Sequence, residues 1–164
     1  FKNGKIFSMG IEIERKFLVK GDDWRKGASK HTIRQGFLST DKHRVVRVRQ
    51  IDQKGFLTVK GLTLQTTRQE FEYEIPLEDA QTMLDHLCEK PLIEKYRFEL
   101  MASGHLWIID EFLSENEGLI VAEVELKSEN ELVELPQWID REISDDPRYF
   151  NSNLVMNPYK DWRE

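Results

Sequence analysis

Six stretches of the chain carry charged or polar residues at alternate positions, and their chemistry is of two kinds. Glu12 and Glu14, Glu70 and Glu72, and Glu123 and Glu125 are paired carboxylates, while Arg47 and Arg49, Lys60 beside Thr58, and Lys95 and Arg97 are bases. Successive side chains of an extended chain point to opposite faces, so each pair shares one face. Carboxylate oxygens suit hard divalent cations. Arginine grips phosphate oxygens as a fork and lysine as a point charge. A polyphosphate accompanied by a divalent cation needs both sets together, the bases to screen the anion and the cation to polarise the reacting phosphoryl group. The competing reading is plain: charges on strands are usually solvated outer faces, or ion pairs that stabilise a sheet without further function.

The elements that must position these residues are mostly strands. Alternation predicts them over 11–19, 31–39, 44–50, 56–60, 68–75, 94–100, 105–112 and 119–127. The first of these sets Glu12, Glu14 and Lys16 against Ile11, Ile13, Arg15 and Phe17, and Asp110 stands within an apolar run. Connections are short and punctuated by Gly55, Ser103-Gly104 and Gly118, which implies antiparallel pairing. One amphipathic helix is expected after Pro76, with Leu77, Ala80, Leu84, Leu87 and Cys88 recurring at helical spacing and Pro91 stopping it; His86 and Cys88 read as structural. Residues 136–143 and 146–154 read as short helical pieces and loops. An antiparallel sheet can keep one face wet. The alternative is a closed barrel whose interior holds charges of both signs, and such an interior would be a binding cavity.

The 164 residues carry a net charge of −6, which argues against non-specific binding to nucleic acid or to anionic membranes. No apolar run is long enough to span a bilayer and no secretory signal is visible. Cys88 is the single cysteine, so no internal disulfide can form, and a cytoplasmic protein fits. His31, His43, His86 and His105 show no metal-ligand spacing, so any metal must be held by carboxylates. Phe1 is not an initiator residue, and residues 1–8 are expected to be a disordered leader ahead of a single domain over 9–164.

The charged motifs together resemble a known family. Glu12-x-Glu14-x-Lys16 is similar to the ExExK signature of the CYTH superfamily, the triphosphate tunnel metalloenzymes. Arg47-x-Arg49, Thr58-x-Lys60, Arg68-x-Glu70-x-Glu72, Lys95-x-Arg97, Asp110 and Glu123-x-Glu125 follow in the family's order, and residues 146–154 resemble the tail of its compact bacterial members. The resemblance runs from Met9 to Trp162 and implies a mainly β fold, a closed eight-stranded antiparallel tunnel with a few covering helices. It also implies activity on triphosphates with Mg²⁺ or Mn²⁺. By that match, Glu12, Glu14, Glu123 and Glu125 hold metal, with Asp110 a further ligand. Lys16, Arg47, Arg49, Lys60, Lys95 and Arg97 hold phosphates, Lys60 and Lys95 tune attack on the terminal phosphate, and Glu70 and Glu72 orient the bases. One departure stands out: close bacterial relatives often have Arg-Gln-Gly-Tyr-Leu where this chain has Arg34-Gln35-Gly36-Phe37-Leu38, so a hydroxyl is missing.

The expected function is hydrolysis of a triphosphate, with inorganic tripolyphosphate favoured. The alternatives are a class IV type adenylate cyclase, a thiamine triphosphatase and a non-catalytic polyphosphate-binding module. The partner is a small-molecule triphosphate, and a homodimer is compatible with the sequence.

Overall fold

Alternation of inward and outward side chains is realised strand by strand. The computed structural model describes residues 11–162, so the expectation for residues 1–8 lies outside the described residues. Strands β1 (Ile11–Val19), β2 (Ser29–Ser39), β3 (Val45–Ile51), β4 (Lys54–Lys60), β5 (Thr67–Ile75), β6 (Ile93–Ala102), β7 (His105–Phe112) and β8 (Ile120–Glu125) are joined in the order β5-β4-β3-β2-β6-β7-β8-β1. An additional β1–β5 pairing closes the ring, and every pairing is antiparallel. The charged faces therefore look into a closed eight-stranded barrel rather than out from an open sheet.

Local sequence explains the turns that set this register. The β6–β7 hairpin turns on Ser103 and Gly104, with φ of 52° and 80°, the left-handed pair that a type I′ turn requires. The β3–β4 hairpin turns at Asp52, whose φ of 50° is tolerated by a short polar side chain.

Residues 136–143, expected as loop and helical pieces, contain a ninth strand, β9 (Ile139–Glu142). Four residues are too few for alternation to be visible. Their conformation comes from tertiary pairing: on the side of β1 away from β8, β5 pairs with the first half of β1 and β9 with the second. Arg15 on β1 holds Glu142 in place at 2.7 Å.

Apolar residues pack on the outside of the barrel wall and at one of its ends. Phe17, Phe98, Trp107, Ala122 and Val124 face outward and are covered by Trp24 and by Trp138 and Ile139. Trp24 meets Phe98 edge-on at 5.1 Å, and Trp107 meets Trp138 at 5.5 Å. Helix α1 (Leu77–His86) lays Ala80 and Leu84 on Val48, with Leu57 and Ile75 beside them. At one end of the barrel, Phe37, Val45, Phe112 and Val121 are closed over by Ile143, Tyr149, Leu154 and Val155 from the C-terminal segment, which includes helix α2 (Asn151–Met156). Among the described residues no helix is long and apolar enough to cross a membrane.

Helix α1 approaches β4 so closely that only glycine fits beneath it. A Cβ on Gly55 would lie 2.7 Å from the Ala80 Cβ and 3.2 Å from the Ile75 carbonyl oxygen. Neither neighbour is the free end of a flexible side chain. Gly55→Ala is therefore expected to lower stability by about 1–3 kcal/mol, the usual range for overpacking. Urea unfolding checks this, and parent-like stability would show that α1 can move away from the sheet.

Candidate active site

Barrel closure sorts the charged strands by sign. Strands β8, β1 and β5 are neighbours, so Glu123 and Glu125, Glu12 and Glu14, and Glu70 and Glu72 share one side of the interior. Across from them stand Arg47 and Arg49 on β3 and Lys95 and Arg97 on β6, separated by β2 with its uncharged Ile33, Gln35 and Phe37. Lys60 on β4 faces Glu70 across the β4–β5 pair, at the junction of the two halves. About 930 Å³ of empty space lies within and at the mouth of the cavity, open solvent included. Every residue expected at the site lines it except Asp110.

The basic half is held in place by a few buried acceptors. Asp110 on β7 is buried and takes Arg97 Nε at 2.8 Å and Nη2 at 2.9 Å, together with Lys95 Nζ at 2.7 Å. Burial alone would raise its pKa, but the charges of Arg97 and Lys95 hold it well below the usual carboxylate range. Both its oxygens are engaged on the same face of the wall as Lys95 and Arg97, so in this structure Asp110 anchors two bases. Arg47 Nη2 donates to Thr58 Oγ1 at 3.1 Å, and the Thr58 hydroxyl donates to Glu72 at 2.9 Å. Arg47 Nε is buried and has no hydrogen-bond partner among the described residues. Burial lowers the pKa of Arg47, and burial followed by the nearby Arg47 and Arg97 charges pushes Arg49 well below its ordinary value. Burial also pulls Lys95 well down, against Asp110, which raises it. A desolvated cluster of like charges with an orphaned donor is stabilised by an anion with several oxygens.

The acidic half has the opposite tension. Glu14 stands directly across the β1–β8 pair from Glu125, and Lys16 from Glu123. Burial, then the charges of Glu12 and Glu123, pushes Glu14 up to about 8. Burial would raise Glu123 too, but Lys16 and other bases bring it down to about 2. Lysines supply the positive charge: Lys60 Nζ lies 3.2 Å from Glu12 and 3.1 Å from Glu70, and Lys16 Nζ lies 3.7 Å from Glu14 and 3.8 Å from Glu123. Among the described residues, no three His, Cys, Asp or Glu groups form a ready-made cation site. The donor set still fits a hard divalent cation: oxygen ligands, crowded like charges, and lysines on flexible stems that can give way.

Several residues at the site were given no role from the sequence. Arg68, named there only as the first residue of the Arg68-x-Glu70-x-Glu72 motif, lies 3.6 Å from Glu12 and lines the cavity. Phe150, Asn151 and Ser152, from the C-terminal segment, form part of the cavity wall. The Phe150 ring lies 5.2 Å from Lys16 Nζ and 5.9 Å from the Arg68 guanidinium. Nothing in local periodicity marks them, because a loop reaches the site through tertiary packing. Phe37 lies across the β2–β3 pair from Arg47 and packs into the apolar end of the barrel.

Removing the charge on Asp110 leaves Lys95 and Arg97 buried without their shared counter-ion. Asp110→Asn is expected to lower stability by about 3–5 kcal/mol at neutral pH. The folded-state pKa of Asp110 lies below its unfolded value, so its contribution is complete above the usual carboxylate range and is lost as pH falls through the folded pKa. The gap in unfolding free energy between parent and variant should therefore narrow from pH 6 towards pH 2. A gap independent of pH would contradict the ion-pair assignment.

Comparison with known proteins agrees with this geometry. The CYTH domain model matches residues 10–152. An inorganic triphosphatase of Acetivibrio thermocellus is 52% identical over 156 residues, covering 95% of this chain and all of that protein. An inorganic triphosphatase of Nitrosomonas europaea is 34% identical over 154 residues, covering 89% of this chain and 97% of the relative. A solved inorganic triphosphatase superposes with a TM-score of 0.64 at 31% identity, over 88% of this chain and 94% of its own. A Hippeastrum protein described as an adenylyl cyclase with dominant triphosphatase activity shares the fold alone, with a TM-score of 0.55 at 15% identity over 71% of this chain and 80% of its own. With the family's charged strands lining one closed barrel and its model matching most of the chain, this protein belongs to the CYTH family.

Proposed function

We propose that the cavity binds an inorganic triphosphate together with a divalent cation and directs water at the terminal phosphorus, releasing orthophosphate and pyrophosphate. The observation that carries this reading is the division of one cavity, lined by buried charges, into a carboxylate half and a basic half whose donor at Arg47 Nε has no partner among the described residues. The names of the two relatives support the choice of substrate.

Arg47, Arg49, Lys95 and Arg97 hold non-bridging phosphate oxygens from one side, with Lys60 reaching them from the seam with the acidic half and Lys16 from within that half. Glu12, Glu14, Glu123 and Glu125 would hold the cation, either Mg²⁺ or Mn²⁺. When bound, it supplies charge neutralisation and polarises the phosphoryl oxygens. Glu70, Glu72 and Asp110 orient bases: Glu70 holds Lys60, Glu72 holds Arg47 both directly and through Thr58, and Asp110 holds Lys95 and Arg97. Lys60 and Lys95 are the candidates to stabilise charge at the phosphate under attack, each anchored by a carboxylate. Positioning and electrostatic stabilisation supply most of the catalysis, because phosphoryl transfer asks for little covalent help from the protein. A cytoplasmic location and a free small-molecule substrate belong to this proposal, in keeping with the net charge of −6 and the single cysteine.

Two results test the reading. With Mg²⁺ or Mn²⁺, tripolyphosphate should be cleaved faster than ATP, and any ATP turnover should give orthophosphate. Hydrolysis needs no grip on a nucleoside, and the charged groups of the cavity are all assigned to phosphate, cation or one another. Cyclic AMP as the main product, with tripolyphosphate left intact, would favour the cyclase. Thiamine triphosphate belongs in the same product assay. Separately, Glu12→Gln combined with Glu14→Gln should abolish metal-dependent turnover, at least about 100-fold, because amides are poor ligands for a hard cation. The same variant should remain folded by circular dichroism. Parent-like turnover would exclude these two residues as ligands.

A further inference from the structure

Two uncharged side chains join the bases of the cavity to the C-terminal segment. Gln35 on β2 is wholly buried; its Oε1 accepts from Arg49 Nε at 2.7 Å, and its Nε2 donates to Asn151 Oδ1 at 2.9 Å. The same Asn151 oxygen accepts from Lys95 Nζ, also at 2.9 Å. Both lone pairs of one amide oxygen are thus in use, and the Gln35 amide satisfies both neighbours in only one orientation. Lys95 gives one of its three N–H bonds to Asp110 and one to Asn151, which leaves the third for a substrate oxygen.

We propose that Asn151 is a positioning residue of the triphosphate cradle, holding Lys95 directly and Arg49 through Gln35. The proposal rests on the triphosphatase reading above. A lysine ammonium on a four-carbon stem has many rotamers, and one carboxylate contact leaves it free to swing; a second fixed acceptor on the other side removes that freedom before substrate arrives. Arg49 has the same need, since its Nε is held by a neutral amide that is itself held by Asn151. Seating of the C-terminal segment and alignment of two phosphate-binding bases are therefore one event. The segment does not need this amide to stay in place: Tyr149, Leu154 and Val155 anchor it in the apolar end of the barrel, and Asn153 Nδ2 ties it internally to the Pro147 carbonyl at 2.7 Å.

The test uses the full chain with Asn151→Ala, Gln35→Ala, the double variant, and Asn153→Ala as a control that loosens the same segment without touching a base. Steady-state kinetics on tripolyphosphate with Mg²⁺ give kcat and KM for each. Asn151→Ala should lose about ten-fold in kcat/KM, the worth of one hydrogen bond to a charged group, with most of the loss in kcat. The double variant should lose far less than the product of the two single losses, because the two amides act as one unit. Asn153→Ala should stay within about two-fold of the parent. Parent-like kinetics for Asn151→Ala, an equal loss in Asn153→Ala, or losses that simply multiply would each overturn the positioning role while leaving the triphosphatase reading intact. A parent protein that does not cleave tripolyphosphate overturns both.

Discussion

Burying a charge inside a protein costs several kcal/mol unless an opposite charge or a set of hydrogen bonds stands against it. The interior of this barrel holds Lys16, Arg47, Arg49, Lys60, Lys95, Arg97, Glu12, Glu70 and Asp110, all largely removed from solvent. The way these charges are matched decides the arrangement of everything around them. Asp110 satisfies two bases at once, Lys60 bridges two carboxylates, and Thr58 relays between Arg47 and Glu72. What remains unmatched is separated by sign: like carboxylates crowd around Glu14, and like cations around Arg49. That remnant of unsatisfied charge is what the proposed binding of a triphosphate and a cation would satisfy.

The separation is a product of topology more than of any single strand. β1 is first in the chain, yet it pairs with β5 and β8, so three glutamate pairs far apart in sequence become neighbours. β2 keeps the two arginine- and lysine-bearing strands apart with an uncharged face. The C-terminal segment then closes one end with an apolar cluster and brings Phe150 and Asn151 to the cavity. Both halves receive a contact from it, since Phe150 lies over Lys16 and Arg68, and Asn151 accepts from Lys95.

Much of this was legible in the sequence because a strand has a period of two. Glu12, Glu14 and Lys16 declare a common face, as do Arg47 with Arg49 and Lys95 with Arg97, and twelve of the thirteen residues named for the site line the cavity. What period cannot reveal is the partner on the neighbouring strand. Asp110 carries the charge expected of a ligand, and only the pairing of β6 with β7 shows that Lys95 and Arg97 already occupy it. β9 was illegible because its conformation is imposed by β1 over four residues. Gln35 is an amide within a strand and Asn151 an amide in a tail; neither pattern nor charge marks them, and their role arises from a contact across 116 positions of sequence.

The wall of the barrel is inverted relative to an ordinary small barrel, with much of its apolar packing outside and its polar groups inside. Within each strand, residues of one parity hold the wall to its coverings and residues of the other parity face the barrel interior. Phe17 can be judged by packing and Lys16 by charge, although they are neighbours in the chain. The two sets can therefore change almost independently in evolution. Selection can alter which anion the cavity prefers without repacking the shell, and can tune the shell without touching the cavity. The same rule makes the fold intolerant of a different kind of change. Inserting one residue into β1 or β8 would exchange the two faces and set glutamates against tryptophans, so length variation must be confined to the loops.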